Sequence, residues 1–420
     1  MFIYPPTKFI TASTILLVCA TAFAETPQQL VQKALQRNPE LTFFVAEIAA
    51  AKGAVRTAGT VRNPELSSEV GYKNTHENSG AASGDGAIVA LSLSQTFDYP
   101  GRIALRKAIA NHDLVLAGLH LEQFRLTLAA RVRSLAYAIT SAHERTKAIQ
   151  EVASRTQSLN DVLKQRPLAG VAPQLEAQII SANLLVFQRQ ERESTLAEKT
   201  IAAELNQLCG RSADTALTVS ADPIVFSAVS VPKLVEAARS NAFDIRIRQV
   251  ELAQQGFKVA LSKNERFPAI AVGPFYSIEN AIDREQRAGL GISLPLPIWD
   301  RNVGNIASSK ARQQQAEASL TLAEREVEKR VTQTAATLES KRVEIQTWMT
   351  GALAQLRESA ELADRHYRLG AVQLTTYLEI QKQYLETIGA FNNAQKDALE
   401  AAQTLEILTG RKLYREEQQR

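Results

Sequence analysis

Two hydrophobic periods take turns along this chain. From Thr26 to about Thr60, apolar residues recur every three or four positions, as on one face of a helix, with a break at Asn38-Pro39. Thr26-Pro27-Gln28-Gln29 marks the start of that helix: a capping threonine, proline in the first turn and a glutamine spaced to complete a capping box. The period then drops to two. Leu66, Ser68, Val70 and Tyr72 fall on one side of an extended chain, with Ser67, Glu69, Gly71 and Lys73 on the other. Beyond a polar loop from Asn74 to Gly86, Val89, Leu91, Leu93 and Phe97 alternate with Ala90, Ser92, Ser94 and Thr96. Strands are therefore predicted at about 64–73 and 87–99. The same alternation recurs in Ile270, Val272 and Tyr276, then in Leu290, Ile292, Leu294, Leu296 and Ile298, predicting strands at about 268–278 and 287–298.

Each strand pair is followed by two long helical stretches, predicted at about 102–166 and 171–208, then at 302–369 and 372–409. No proline interrupts Arg102–Arg166 or Asn302–Leu369, and ~65 residues at ~1.5 Å each reach roughly 95 Å. Along Ala316, Leu320, Ala323, Val327, Val331, Ala335 and Leu338 the apolar seam is narrow and rich in alanine. Gln313, Glu317, Glu324, Lys329 and Arg330 occupy the remaining surface. A helix inside a compact globule carries a broader apolar stripe. This seam suits close coiled-coil packing with water on both sides, as in the wall of a hollow tube.

The whole pattern occurs twice, at an offset of about 200 residues. Leu30-Val31, Ala34 and Leu41 match Leu234-Val235, Ala238 and Ile245, and Arg62, Pro64 and Leu66 match Arg266, Pro268 and Ile270. The halves also close alike, with Leu205, Leu208, Gly210 and Arg211 against Leu405, Leu408, Gly410 and Arg411. Two repeats, 26–211 and 230–411, each run helix, strand, strand, helix, helix. The fold class is mainly α with a β portion.

Strands of about 10–13 residues with one apolar and one polar face can cross a bilayer when tilted. Four strands cannot close a transmembrane barrel, which needs at least about eight, so oligomerisation follows; three copies supply about twelve strands. An ordinary soluble antiparallel sheet with one wet face is the competing reading. In a barrel, the polar loops at Asn74–Asp85 and Glu279–Gln286 suit the outer surface, and Phe97, Tyr99 and Trp299 sit at the other end, as an interfacial aromatic girdle should.

The remaining chemistry narrows the class. Lys8, the apolar run Phe9–Ala20 and the small-x-small site Ala22-Phe23-Ala24 read as a signal peptide over 1–24, with Glu25 as the first mature residue. Val18 before Cys19 does not suit a lipoprotein site. The mature chain then keeps only Cys209, a small hydrophobe by context. A net charge of +4 over 420 residues argues against nucleic acid as the main partner. His76, His112, His120, His143 and His366 show no metal-ligand spacing. No phosphate-binding glycine loop, nucleophile elbow or cysteine cluster is present, so neither an enzyme nor a cofactor is expected.

Signal peptide, duplicated halves and length together resemble the TolC family of outer-membrane efflux proteins over essentially the whole mature chain. Leu93-Ser94-Gln95-Thr96-Phe97-Asp98-Tyr99-Pro100-Gly101-Arg102 resembles the family's barrel-to-helix junction. Leu294-Pro295-Leu296-Pro297-Ile298-Trp299-Asp300-Arg301-Asn302-Val303-Gly304-Asn305-Ile306 is similar to the same junction in the cobalt-zinc-cadmium efflux (CzcC-like) branch. The resemblance implies a homotrimer, with a barrel of about twelve strands in the outer membrane of a Gram-negative bacterium and about twelve helices forming a periplasmic tunnel. It implies as partners outer-membrane lipid, a periplasmic adaptor and an inner-membrane pump of the resistance-nodulation-division type. The cargo it implies is a divalent heavy-metal cation. Drugs, organic solutes or a type I secreted polypeptide would use the same architecture, and a periplasmic coiled-coil scaffold is the alternative from another class.

By the same resemblance the periplasmic tip is the functional end. At the second tip, Arg368, Leu369 and the turn residue Gly370 fall where family members contact the adaptor, and Thr376 and Glu379 fall where acidic residues often surround the closed aperture. Glu379 fits that pattern and Thr376 does not. Three Glu379 carboxylates would form a cation-attracting ring, unless Glu379 is one more solvated helix charge. The first tip, with Arg166 and Gly170, differs by carrying Pro167 and Pro173.

Overall fold

The computed structural model describes residues 24–76, 78, 80, 82–165, 171–281 and 283–416. The expected signal segment as far as Phe23, and Arg166 and Gly170 of the first tip, lie outside the described residues.

Helix α1 (Pro27–Arg37) opens on the expected box: Gln29 N–H donates to Thr26 Oγ1 at 3.3 Å, and Thr26 N–H donates to Gln29 Oε1 at 3.1 Å. Asn38 ends it and restarts the chain, its Oδ1 accepting from the Glu40 N–H at 2.8 Å where α2 (Glu40–Ala58) begins. Strands β1 (Glu65–His76) and β2 (Ala82–Phe97) follow, then α3 (Arg102–Gln165) and α4 (Val171–Leu208). The second half runs β3 (Ile224–Phe226), α5 (Val231–Asn241), α6 (Phe243–Asn264), β4 (Ile270–Asn280), β5 (Arg284–Ser293), α7 (Val303–Thr347), α8 (Leu353–Arg368), α9 (Leu374–Thr409) and β6 (Tyr414–Glu416). No helix among the described residues is long and apolar enough to cross a membrane.

The duplication is visible in the packing. One core gathers Leu30, Ala34, Leu41, Val132, Leu205 and Leu208, and the other gathers Leu234, Ala238, Ile245, Val331, Leu405 and Leu408. Leu30 and Leu234, Ala34 and Ala238, and Leu205 and Leu405 are thus the same structural positions used twice. Each half closes on a left-handed glycine, Gly210 at φ 67° and Gly410 at φ 69°. Cys209 is buried with its Sγ 3.7 Å from the Leu30 carbonyl, and burial raises its thiol pKa, as befits a packing residue.

Several boundaries differ from those the sequence predicts. The first hairpin pairs beyond Lys73, through Lys73↔Gly86, Asn74↔Asp85 and Thr75↔Gly84, because polar side chains are tolerated where a strand leaves an apolar environment. Its loop is correspondingly short, and so is that between Asn280 and Arg284. The strand predicted at 287–298 instead covers Arg284–Ser293. Pro295 and Pro297 have no N–H to continue the ladder, so the alternation of Leu294, Leu296 and Ile298 is not a strand. The helix predicted without interruption over 302–369 is divided by a π-helical turn at Trp348–Ala352, where Gly351 takes φ 108°. The short β3–β6 sheet, which pairs Phe226 with Tyr414, was not expected.

A half-buried ion cluster ties the segment ahead of α1 to the end of the first half. Glu25 accepts from Lys33 Nζ at 2.8 Å and from Arg211 Nη2 at 2.7 Å. Burial raises its carboxyl pKa, but the hydrogen bonds from Lys33 and Arg211 outweigh that and hold it below the ordinary carboxylate value. A depressed carboxylate stabilises the fold above its unfolded pKa, and the contribution is lost as pH falls through the folded value. Glu25→Gln is therefore expected to cost about 1–2 kcal/mol near pH 7. Thermal midpoints of variant and wild type should converge as the pH is lowered through the folded value.

Candidate functional site

The larger sheet has strand order β1-β2-β4-β5, all antiparallel, so β1 and β5 each have one unpaired edge. Register places Leu66 opposite Leu93, Val70 opposite Val89, Leu91 opposite Tyr276, Phe97 opposite Ile270 and Val272 opposite Ile292. These side chains form one continuous apolar face, and nothing among the described residues covers it: Val70 and Leu290 are each 76% exposed. The opposite face is polar, and there Glu279 bridges Lys73 at 2.8 Å and Arg287 at 3.1 Å. Between β2 and β4 the pairing skips Leu93 and Ser94. Pro274 has no N–H to donate there, and a Cβ on Gly273 would lie 1.6 Å from the Leu93 carbonyl oxygen, so only glycine permits that approach.

At the helix end of the sheet lie the three aromatics singled out from the sequence. Phe97 closes β2 and Trp299 is 93% exposed. Tyr99 stacks on Phe267, ring centroids 4.4 Å apart at 15°. Phe267 was missed, although it sits between Arg266 and Pro268, which the repeat had marked. Both strand-to-helix junctions turn through a left-handed residue, Gly101 at φ 85° and Asn302 at φ 60°. At the first junction Asp98, only 4% exposed, is met by Arg62, Arg102 and Arg106.

The far end of the long helices is the tip. Helix α8 ends in Arg365, His366 and Arg368, favourable charges for a helix C-terminus. Gly370 takes φ 74°; its N–H donates to the Tyr367 carbonyl at 3.0 Å and the Ala371 N–H to the His366 carbonyl at 2.9 Å, a complete Schellman turn. Leu374, Tyr377 and Leu378 then pack against Leu159 and Ile180, so the ends of α3, α4, α8 and α9 share one cluster. Tyr377 is fully buried and stacks on Tyr367 at 5.3 Å; burial pushes its hydroxyl pKa up to about 12. Gln381, also fully buried, donates to the Ala360 carbonyl at 2.8 Å and clamps α9 to α8.

Arg368, Leu369, Gly370, Thr376 and Glu379 thus come together in one helical hairpin, all exposed. Arg368 pairs with Asp364 at 3.0 Å, and Glu379 accepts from Gln383 at 3.2 Å. The Tyr367–Tyr377 stack and the Gln381 clamp were not foreseen, although the two tyrosines flank Gly370 in the sequence. Among the described residues no three His, Cys, Asp or Glu side chains gather as a metal site would require. His112 instead bonds the Ala108 carbonyl at 2.8 Å and lies against Phe257, while His143 meets Glu198 at 3.1 Å.

This geometry has relatives. The sequence profile of the family described as "Outer membrane efflux protein" matches residues 30–211 and 234–411, one match for each repeat. The cobalt-zinc-cadmium resistance protein CzcC of Cupriavidus metallidurans is 19% identical over 377 residues, covering 89% of this chain and 87% of that protein. The CmeC outer membrane channel of Campylobacter jejuni superposes with a TM-score of 0.73 at 16% identity, over 91% of this chain and 85% of its own. A membrane protein from Pseudomonas aeruginosa does so with a TM-score of 0.74 at 18% identity, over 91% and 90%.

Proposed function

The chain belongs to the outer membrane efflux protein family, and from that premise we propose that it forms the outer-membrane duct of a tripartite pump exporting divalent heavy-metal cations. It is a channel protein, not an enzyme. The observation that carries the reading is the uncovered apolar face of a sheet with two free edges. A four-stranded sheet cannot remain so in water or in lipid, because each unpaired edge exposes backbone donors and acceptors. Joining β5 of one copy to β1 of the next satisfies both edges, and three copies close a barrel of about twelve strands. Its apolar face meets the acyl chains and its charged face lines the lumen. Phe97, Tyr99 and Trp299 mark the periplasmic interface, and the helices continue into the periplasm as a tunnel wall.

A leader ending at Ala24 accounts for delivery to the membrane; Glu25 is then the mature start, and its nitrogen, an α-ammonium after cleavage, donates to the Thr218 carbonyl at 2.8 Å. The partners are a periplasmic adaptor, docked at the tip around Arg368, Leu369 and Gly370, and an inner-membrane pump of the resistance-nodulation-division type, which supplies the energy. Metal cargo is supported by the likeness to the metal-resistance protein CzcC. The test is growth of a deletion strain on graded zinc, cobalt, cadmium, nickel and copper beside drugs and detergents. Selective metal sensitivity, restored by the wild-type gene, is expected. Sensitivity to drugs alone overturns the cargo, and release from membranes by high salt overturns the barrel in favour of a periplasmic scaffold.

Glu379 supplies a finer prediction. With Thr376 one turn earlier it projects away from the Tyr377–Leu378–Gln381 face that packs inside the protomer. Three such carboxylates at the aperture favour cations. Glu379→Gln is expected to lower the cation-over-anion permeability ratio in planar bilayers, while changing stability by no more than about 0.5 kcal/mol. An unchanged ratio would reduce Glu379 to a solvated helix charge.

A further inference from the structure

We propose that the basic cluster where β2 hands over to α3 holds the headgroup of an anionic phospholipid in the leaflet facing the helices. The inference rests on the reading of the sheet as a bilayer-spanning barrel. Asp98 is the carboxylate that Arg62, Arg102 and Arg106 share. Arg102 is committed within the protein: it contacts Asp98 at 3.4 Å and donates to the Asn264 Oδ1 at 3.0 Å and to the Phe267 carbonyl at 2.6 Å. Arg62 and Arg106 also reach Asp98, yet their side chains stay 57% and 30% exposed. Lys107, on the next position of α3, is exposed, packs toward Gly59 and has no acidic partner among the described residues. One buried negative charge is therefore met by three arginines, two of them open to solvent, and Lys107 adds a further exposed cation on α3.

The position of this surplus makes it a headgroup site. Gln95 lies on the apolar face of β2, in line with Leu93 and Phe97, and donates to the Arg62 main-chain carbonyl at 2.9 Å, which holds the Arg62 backbone at the end of that face. The Tyr99–Phe267 stack lies beside it, at the depth where aromatic rings meet headgroups. A cation just beyond an apolar band and an aromatic pair faces phosphate when the band is filled with acyl chains. Arginine suits that contact because its planar fork offers paired donors to two phosphate oxygens.

The test reconstitutes the full-length trimer and its Arg62→Gln/Arg106→Gln variant into vesicles of phosphatidylcholine with or without phosphatidylglycerol. Retained lipid is counted by native mass spectrometry after gentle extraction. Wild type should co-float with the vesicles and enrich phosphatidylglycerol over phosphatidylcholine, and the double variant should float equally while losing roughly tenfold of that enrichment. Should the double variant fail to assemble, Lys107→Gln, which leaves the Asp98 contacts intact, is expected to lose about threefold. Equal retention of both lipids by wild type, enrichment unchanged in the variants, or displacement of lipid by inorganic phosphate would overturn the headgroup site. Failure of wild type to float would overturn the barrel reading and this site with it.

Discussion

Ala398→Leu is expected to destabilise the tunnel wall by about 3 kcal/mol, at the top of the range for overpacking a core. Ala394, Ala398 and Ala402 are each fully buried on α9, in the same cluster as Val331, Ala335 and Leu338 of α7. The two helices run close enough for Lys341 of α7 to reach Asp397 of α9 at 3.6 Å, one residue from Ala398 and one turn from Leu338. Three successive alanines on one side of the seam leave no slack for three further carbon atoms, so either the helices part or the leucine leaves its rotamer well. Leu338→Ala strains the same layer in the opposite sense and is expected to cost a similar ~3 kcal/mol through the cavity left behind. Thermal loss of helical circular dichroism in the purified protein reads both. If Ala398→Leu melts with wild type, α7 and α9 stand farther apart than an alanine seam requires, and the close-packed wall is wrong.

That seam was legible because a period of three or four with small residues is a statement about helix separation. The duplication was legible for a similar reason: positions such as Leu30 and Leu234 are paired cores, so their identities had to agree. What escaped was set by single residues acting against a surrounding pattern. Leu294, Leu296 and Ile298 alternate as a strand does, yet the prolines between them remove the donors a ladder needs, and the strand stops at Ser293. Gly351 is the only local sign of the π turn, and one glycine in a helical run does not by itself distinguish a bulge from a tolerated residue. At the tip, Gly370 announced the turn. The Tyr367–Tyr377 stack and the buried Gln381 depend on how α8 and α9 face each other, a relation between elements that periodicity within either cannot express. The charge surplus around Asp98 escaped for the same reason, since Arg62 and Arg106 meet only once the strands have turned the chain back.

Arg102→Met is expected to cost about 3 kcal/mol and to lower the yield of folded, membrane-inserted protein, because it breaks a buried, hydrogen-bonded ion pair from one side. Arg102 belongs to the first half of the chain, but two of its acceptors, the Asn264 side chain and the Phe267 carbonyl, belong to the second. It therefore fixes where α3 leaves the sheet relative to where α6 enters it, and Asn264 reinforces the link by donating to the Pro100 carbonyl at 2.9 Å. Loss of the guanidinium leaves the Phe267 carbonyl without that donor and leaves Asp98 to Arg62 and Arg106 alone. These two keep the penalty near the lower end of the range for a broken buried pair, about 3–5 kcal/mol. Arg102→Lys keeps the charge but cannot span the Asp98 carboxylate, both Asn264 oxygens and the Phe267 carbonyl, so it should recover less than half of the loss. A double-mutant cycle with Asn264→Ala separates a shared network from two independent contacts: coupling above about 1 kcal/mol is expected. Additive losses would mean that Arg102 and Asn264 are independent contacts across a junction held by the β2–β4 pairing and the Tyr99–Phe267 stack.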